Sequence, residues 1–83
     1  MENSAKTIYN IDMNKLLYNM LKNSAKADRD RALLSLELLG NEPVGVGDHT
    51  TKDLWDDAET ALALLESAES RLEALERHYK DTQ

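Results

Sequence analysis

Asp48, His49 and Asp53 lie close together in the sequence and carry side chains of the kind that bind metal ions. Carboxylate oxygens suit Ca²⁺ or Mg²⁺, whereas imidazole suits Zn²⁺. The spacing is not that of an EF-hand loop, and the chain contains no cysteine that could complete a zinc site. Helix capping and the helix dipole already account for acids at this position. We therefore expect no metal ion and no cofactor.

Gly45-Val46-Gly47 and Thr50-Thr51-Lys52 together invite comparison with a phosphate-binding loop. A true P-loop has two glycines, then lysine and a hydroxyl residue, and it joins a strand to a helix. Here the threonines precede the lysine and no strand is predicted before them. We interpret the segment as a connector, although it leads into a helix N-terminus, which attracts anions in general.

Catalysis by histidine is not supported by the positions of His49 and His78, the two histidines of the chain. They flank a predicted helix and would be separated by roughly 40 Å within one molecule. Neither has a nucleophile in a recognisable triad order. Carboxylates are plentiful, but a small helical protein offers little room for a cleft that could raise their pKa. We expect that the protein is not an enzyme.

Lys22, Lys26 and Arg29 are spaced so that they share one face of a helix, and Tyr18 lies one turn earlier. Such a face could bind a nucleotide, another anion or an acidic partner. Asp28 and the following acid at position 30 partly neutralise it, so a solvated surface is the competing interpretation.

The C-terminal half of the chain is predicted to form a long helix over about 51–80. Thr50 or Thr51 can cap it, acids crowd its first turn, and basic residues lie in its last turn. Its apolar residues are spaced alternately four and three apart, as in a coiled-coil seam. We predict that this seam forms the core or a dimer contact; it comprises Leu54, Ala58, Ala61, Leu65, Ala68, Leu72, Leu75 and Tyr79.

The N-terminal half predicts a helix over about 12–39, capped by Asn10 or Asp12 and stopped at Gly40. Its middle, residues 23–31, is polar, so a break there is the alternative. Two apolar faces flank this section. The first consists of Met13, Leu16, Leu17, Met20 and Leu21, and the second consists of Ala32, Leu33, Leu36 and Leu39.

Together these elements predict an all-α fold in which residues 11–83 form a single helical domain. The two long helices would form a hairpin joined by a loop over 40–50, after a flexible N-terminus at 1–10. Further apolar residues lie beside the main stripes, so the apolar surface is wider than one partner helix covers. We therefore expect a homodimer that forms an antiparallel four-helix bundle.

Charge is distributed unevenly along the chain, whose formal net charge is −6. Residues 1–31 carry a net +2 and residues 32–83 a net −8. An acidic chain argues against direct DNA binding, which depends on neutralising phosphates. No apolar run is long enough for a membrane span or typical of a secretory signal, so we expect a cytoplasmic protein that does not bind membranes.

The leading functional hypothesis is a small acidic module that binds, inhibits or regulates another protein, with Glu66, Glu69 and Glu73 facing a basic partner surface. Small inhibitors encoded by phages and mobile elements share this size and charge, which is an analogy of composition only. One alternative is a module that sequesters a nucleotide or other anion at a dimer interface. Another is a structural component of a larger assembly.

Overall fold

The structure of the protein, a computed structural model, describes residues 13–41 and 51–80. These residues form two helices that pack against each other: α1 spans Lys15–Gly40 and α2 spans Thr51–Tyr79. The predicted all-α hairpin is therefore confirmed. The predicted flexible segment 1–10 and most of the connecting loop lie outside the described residues. Neither described helix contains a stretch long and apolar enough to cross a membrane.

Helix α1 is continuous over its 26 residues, so the alternative of a break within 23–31 is wrong. This section contains no glycine or proline, and nothing interrupts the helical hydrogen bonds there. The cap also differs from the prediction. The side chain of Asn14 accepts hydrogen bonds from the backbone N–H groups of Leu16 (2.8 Å) and Leu17 (3.2 Å). Asn14, and not Asn10 or Asp12, is thus the N-cap residue.

Helix α1 extends one residue beyond the predicted last helical position, 39. Gly40 is the last helical residue, and Asn41 is the C-cap residue, whose backbone N–H donates a hydrogen bond of 3.1 Å to the carbonyl of Leu38. Helix α2 begins at Thr51 and ends close to the predicted position 80, whereas the alternative cap Thr50 lies outside the described residues.

The helices run antiparallel, because early residues of α1 lie beside late residues of α2. Leu21 and Tyr79 line one shared cavity near one end of the hairpin, and Leu39 and Leu54 line another near the other end. Small residues form the centre of the contact. The buried residues of the interface repeat every seven positions in each helix: Tyr18, Ala25 and Ala32 in α1, and Ala61 and Ala68 in α2. Alanine at these positions lets two helix backbones approach closely, because no larger side chain separates them.

The second predicted apolar face of α1 mostly faces α2, because Ala32 is buried and Leu36 and Leu39 are half-buried, although Leu33 is exposed. The first predicted apolar face does not face α2. The leucines and Met20 of the first predicted apolar face are exposed, whereas Tyr18 and Ala25, which that face omits, are buried. Leucine is more hydrophobic than alanine, but a helix with two apolar stripes can direct only one of them at a single partner helix. The other stripe of α1 therefore stays on the surface of the hairpin.

Candidate functional site

The predicted seam of α2 lies along the side of the helix that faces α1. Ala61 and Ala68 are buried, and the other six seam residues are half-buried. Leu64 is half-buried too, and all other described residues of α2 are exposed. The packing partner of this seam in the structure is α1 of the same chain.

Two residues of the predicted acidic face, Glu66 and Glu73, lie on the outer side of α2, whereas Glu69 lies beside the seam, seven positions before Glu76 of the groove between the helices. Glu66, Glu69 and Glu73 are all exposed, and Glu66 and Glu73 are seven residues apart on the side turned away from α1. Two of the three carboxylates have local partners. Glu66 accepts a hydrogen bond from the Ser70 hydroxyl (3.2 Å), and Glu73 forms an ion pair with Arg77 (3.2 Å). These contacts orient the carboxylates without removing them from solvent.

The predicted anion-binding face does not lie on one continuous exposed surface. Tyr18 is only 2% exposed, because its ring packs between the helices. The Lys22 ammonium lies 5.7 Å from the centre of that ring, at a distance typical of a cation–π contact. Arg29 is half-buried and pairs with Asp30 (3.2 Å), whereas Lys26 is exposed.

Lys22 and Lys26 still share a groove of about 230 Å³ with Tyr18. The α2 side of this groove supplies Leu72, Leu75 and Glu76. A carboxylate in the same groove counteracts the attraction that the two lysines exert on an anion.

An ion-pair cluster joins the middle of α1 to the C-terminal third of α2. Arg71 of α2 donates a hydrogen bond of 2.8 Å to the Asp28 carboxylate of α1, and Arg31 donates a second one to the same carboxylate. These bonds, first that from Arg71 and then that from Arg31, lower the pKa of Asp28 below its usual value. The cluster therefore depends on an ionised Asp28.

A second heptad-spaced stripe runs along α1 on the side turned away from α2, and sequence analysis did not single it out. Apolar residues form the two ends of this stripe, and small or polar residues form its centre. All of its residues except the half-buried Met13 are exposed. The spacing between its members alternates four and three, as in the α2 seam. We call this set the outer stripe: Met13, Leu17, Met20, Ser24, Ala27, Arg31, Leu34 and Leu38.

The residues considered for metal and phosphate binding fall mostly outside the described part of the chain. Asp48, His49 and the glycines at 45 and 47 are not described, whereas Asp53 lies in the first turn of α2. Within 13–41 and 51–80, no group of three metal-binding side chains converges. His78 is exposed near the end of α2, with its ring 6.3 Å from that of Tyr79.

Comparison with protein-family models, with curated proteins and with solved structures finds no match to this chain.

Proposed function

We propose that this protein is a small helical interaction module that binds other protein surfaces and has no catalytic role. The observation that supports this most directly is the amount of apolar surface that the hairpin leaves uncovered. Nine large apolar side chains of the described residues are between 43% and 68% exposed, and seven of the nine belong to α1. Extended apolar surface of this kind is typical of interaction sites.

We further propose that the two helices have different tasks. Helix α1 has a net charge of +2 and an apolar outer side, whereas α2 has a net charge of −5 and an acidic outer side. Assembly through apolar faces gives the homodimer and the four helices expected from the sequence. The acidic side of α2 remains free to meet a basic surface of a partner protein, including one that otherwise binds nucleic acid.

The acidic-face proposal is tested with a variant that carries Glu66→Lys, Glu69→Lys and Glu73→Lys. The probe is a fluorescently labelled lysine-rich peptide, and its affinity is measured by fluorescence anisotropy at several salt concentrations. We expect the triple variant to bind about tenfold or more weakly and to lose most of the salt dependence.

The matched control reverses three exposed acids on other parts of the surface: Asp30→Lys, Glu37→Lys and Asp57→Lys. It changes the net charge equally, so a loss specific to the first variant assigns the effect to the α2 face. Equal losses of peptide affinity in both variants would show that net charge alone causes the effect, which would contradict the proposal.

Sequestration of an anion is the second candidate function, supported by the shared groove of Lys22 and Lys26. It is supported less well, because Glu76 lines the same groove and Tyr18 is occupied in the helix interface. A variant with Lys22→Glu and Lys26→Glu separates the two proposals. Loss of nucleotide binding in a titration with ATP, with peptide binding intact, would favour sequestration.

A further inference from the structure

We infer that the occupant of the outer stripe of α1 is a second copy of this chain, packed with its own α1 antiparallel to the first. The inference rests on the proposed function, because it identifies one partner of the interaction module. The midpoint of the contact lies between Ala25 and Lys26. A residue a given number of positions before this midpoint in one copy therefore faces the residue the same number of positions after it in the other copy.

The pattern of the outer stripe is nearly symmetric about this midpoint. Antiparallel pairing places Met13 opposite Leu38 of the second copy and Leu17 opposite Leu34. The small residues Ser24 and Ala27 meet at the centre, where they allow close approach of the backbones. A surface that contacts its own copy across a twofold axis must be self-complementary in this way.

Arg31 is the charged member of the outer stripe, and it decides the orientation. In a parallel dimer, Arg31 would face Arg31 of the second copy inside the contact, where like charges repel. In the antiparallel dimer, these two residues are about 16 Å apart along the axis. Each then lies opposite Met20 of the second copy, so that its apolar stem covers Met20 while its guanidinium remains bonded to Asp28.

In the antiparallel dimer, the acidic residues that flank the outer stripe do not lie opposite acidic residues of the second copy. Asp30 falls beside Asn23 of the second copy, and Glu37 falls beside Leu16. The strongly acidic α2 helices lie on the two outer sides of the dimer, where their mutual repulsion is weakest. The acidic faces therefore stay exposed for other partners.

The two grooves between α1 and α2 are poorer surfaces for a second copy. A compact four-helix bundle would direct the helix positions beside each groove into a common core. On one side these positions hold Lys22 and Arg29, and on the other side they hold Asp28 and Arg71. Burying such charges in a core is costly. The observations thus favour a layer of four helices with the two α1 helices in the middle.

The contact is one helix against one helix along about 39 Å. That is a small interface by the standard of stable complexes, so we expect a reversible dimer with a Kd in the micromolar range. Sedimentation equilibrium of the full chain, from about 1 µM to about 500 µM, measures it directly. Monomer at every concentration would overturn the inference, whereas peptide binding by α2, measured separately, would still test the proposed function.

The surface is tested with a matched pair of variants, Leu34→Glu and Leu62→Glu. Both leucines are 55% exposed, but Leu34 belongs to the outer stripe and Leu62 lies on α2. We expect Leu34→Glu to raise the dimer Kd at least about tenfold and Leu62→Glu to leave it within about twofold. Met20→Glu repeats the test at a second stripe position. The opposite ranking would overturn the assigned surface.

The orientation is tested with a nitroxide label on Gly40→Cys, because the chain has no other cysteine and, apart from the adjoining residues and backbone of α1, nothing lies within 4 Å of a side-chain carbon built at Gly40. Antiparallel pairing predicts a distance of about 43 Å between the labelled positions. Parallel pairing predicts roughly 10–25 Å. Pulsed electron paramagnetic resonance distinguishes the two, and the short distance would overturn the antiparallel assignment.

Discussion

Arg71 and Asp28, 43 positions apart in the sequence, are joined by a hydrogen bond of 2.8 Å that links α2 to α1. Each of these two residues follows a buried alanine of its own helix by three positions, Ala68 and Ala25 respectively. The ion pair therefore sits beside the buried alanines of the helix interface. By contrast, the pair of Lys52 with Asp56 lies within one helix and cannot influence how the two helices are aligned.

We predict that Asp28→Asn destabilises the hairpin at neutral pH and not in strong acid. The pKa of Asp28 is lower in the folded protein than in the unfolded chain, where it is about 3.9. Its stabilisation is therefore complete above that value and is lost as the pH falls through the folded-state pKa. Thermal unfolding at neutral pH and at about pH 2 checks this. Asp30→Asn is the control, because Asp30 pairs with Arg29 of the same helix.

The close contact of the helices predicts that larger side chains at its centre are not tolerated. Ala68 is fully buried, so Ala68→Leu must push the helices apart and should lower the free energy of unfolding by about 1–3 kcal/mol. Ala63→Leu adds the same atoms on the exposed side of α2 and should change it by less than about 0.5 kcal/mol. Urea unfolding followed by circular dichroism measures both, and equal values would refute the close packing.

Asn14 caps α1 by accepting two backbone hydrogen bonds. Asn14→Ala removes both and should destabilise the protein by about 1 kcal/mol, with some loss of helical circular dichroism. Asn19→Ala is the comparison variant, since Asn19 is exposed within α1 and alanine there favours the helix. If Asn14→Ala were as stable as the unmodified protein, the helix would have to begin at another residue.

Tyr18 is the largest fully buried side chain among the described residues. Replacing it by alanine removes a ring from the interface and should reduce the free energy of unfolding by about 3 kcal/mol or more. Tyr18→Phe keeps the ring and its contact with Lys22, so it should cost much less. Chemical unfolding measures the stability of both variants. Similar losses of stability would mean that the hydroxyl group, and not the packing of the ring, stabilises the protein at this position.

Much of α2 could be predicted from the sequence because one apolar stripe dominates it. Its alternating spacing identified both the helix and the side that faces α1, and the predicted end at about 80 lies within one residue of Tyr79. The glycines and the proline between 40 and 47 placed the division between the helices correctly.

Helix α1 was harder to predict because it carries two heptad-spaced stripes. In its first half, hydrophobicity favours the stripe with Leu17 and Met20, but the structure buries the one with Tyr18 and Ala25. In its second half, the predicted residue Ala32 is indeed buried. The difference is one of fit: Ala25 and Ala32 let α1 approach the alanines of α2 more closely than the leucines of the other stripe would. The polar section 23–31 suggested a break for a related reason, since Ala25, its buried contact residue, contributes little hydrophobicity.

The buried core of the described hairpin consists of one tyrosine and four alanines. Alanine loses no side-chain rotamer freedom on burial, but it also removes little apolar area from water. A hairpin held by such a core is only marginally stable by itself, so any surface that covers the outer stripe of α1 also stabilises the fold by mass action. Folding and assembly then form one coupled equilibrium. If the occupant is the second copy inferred above, undimerised copies would spend more time unfolded in a cell and be degraded first, so the protein would be longest-lived where its own concentration is high.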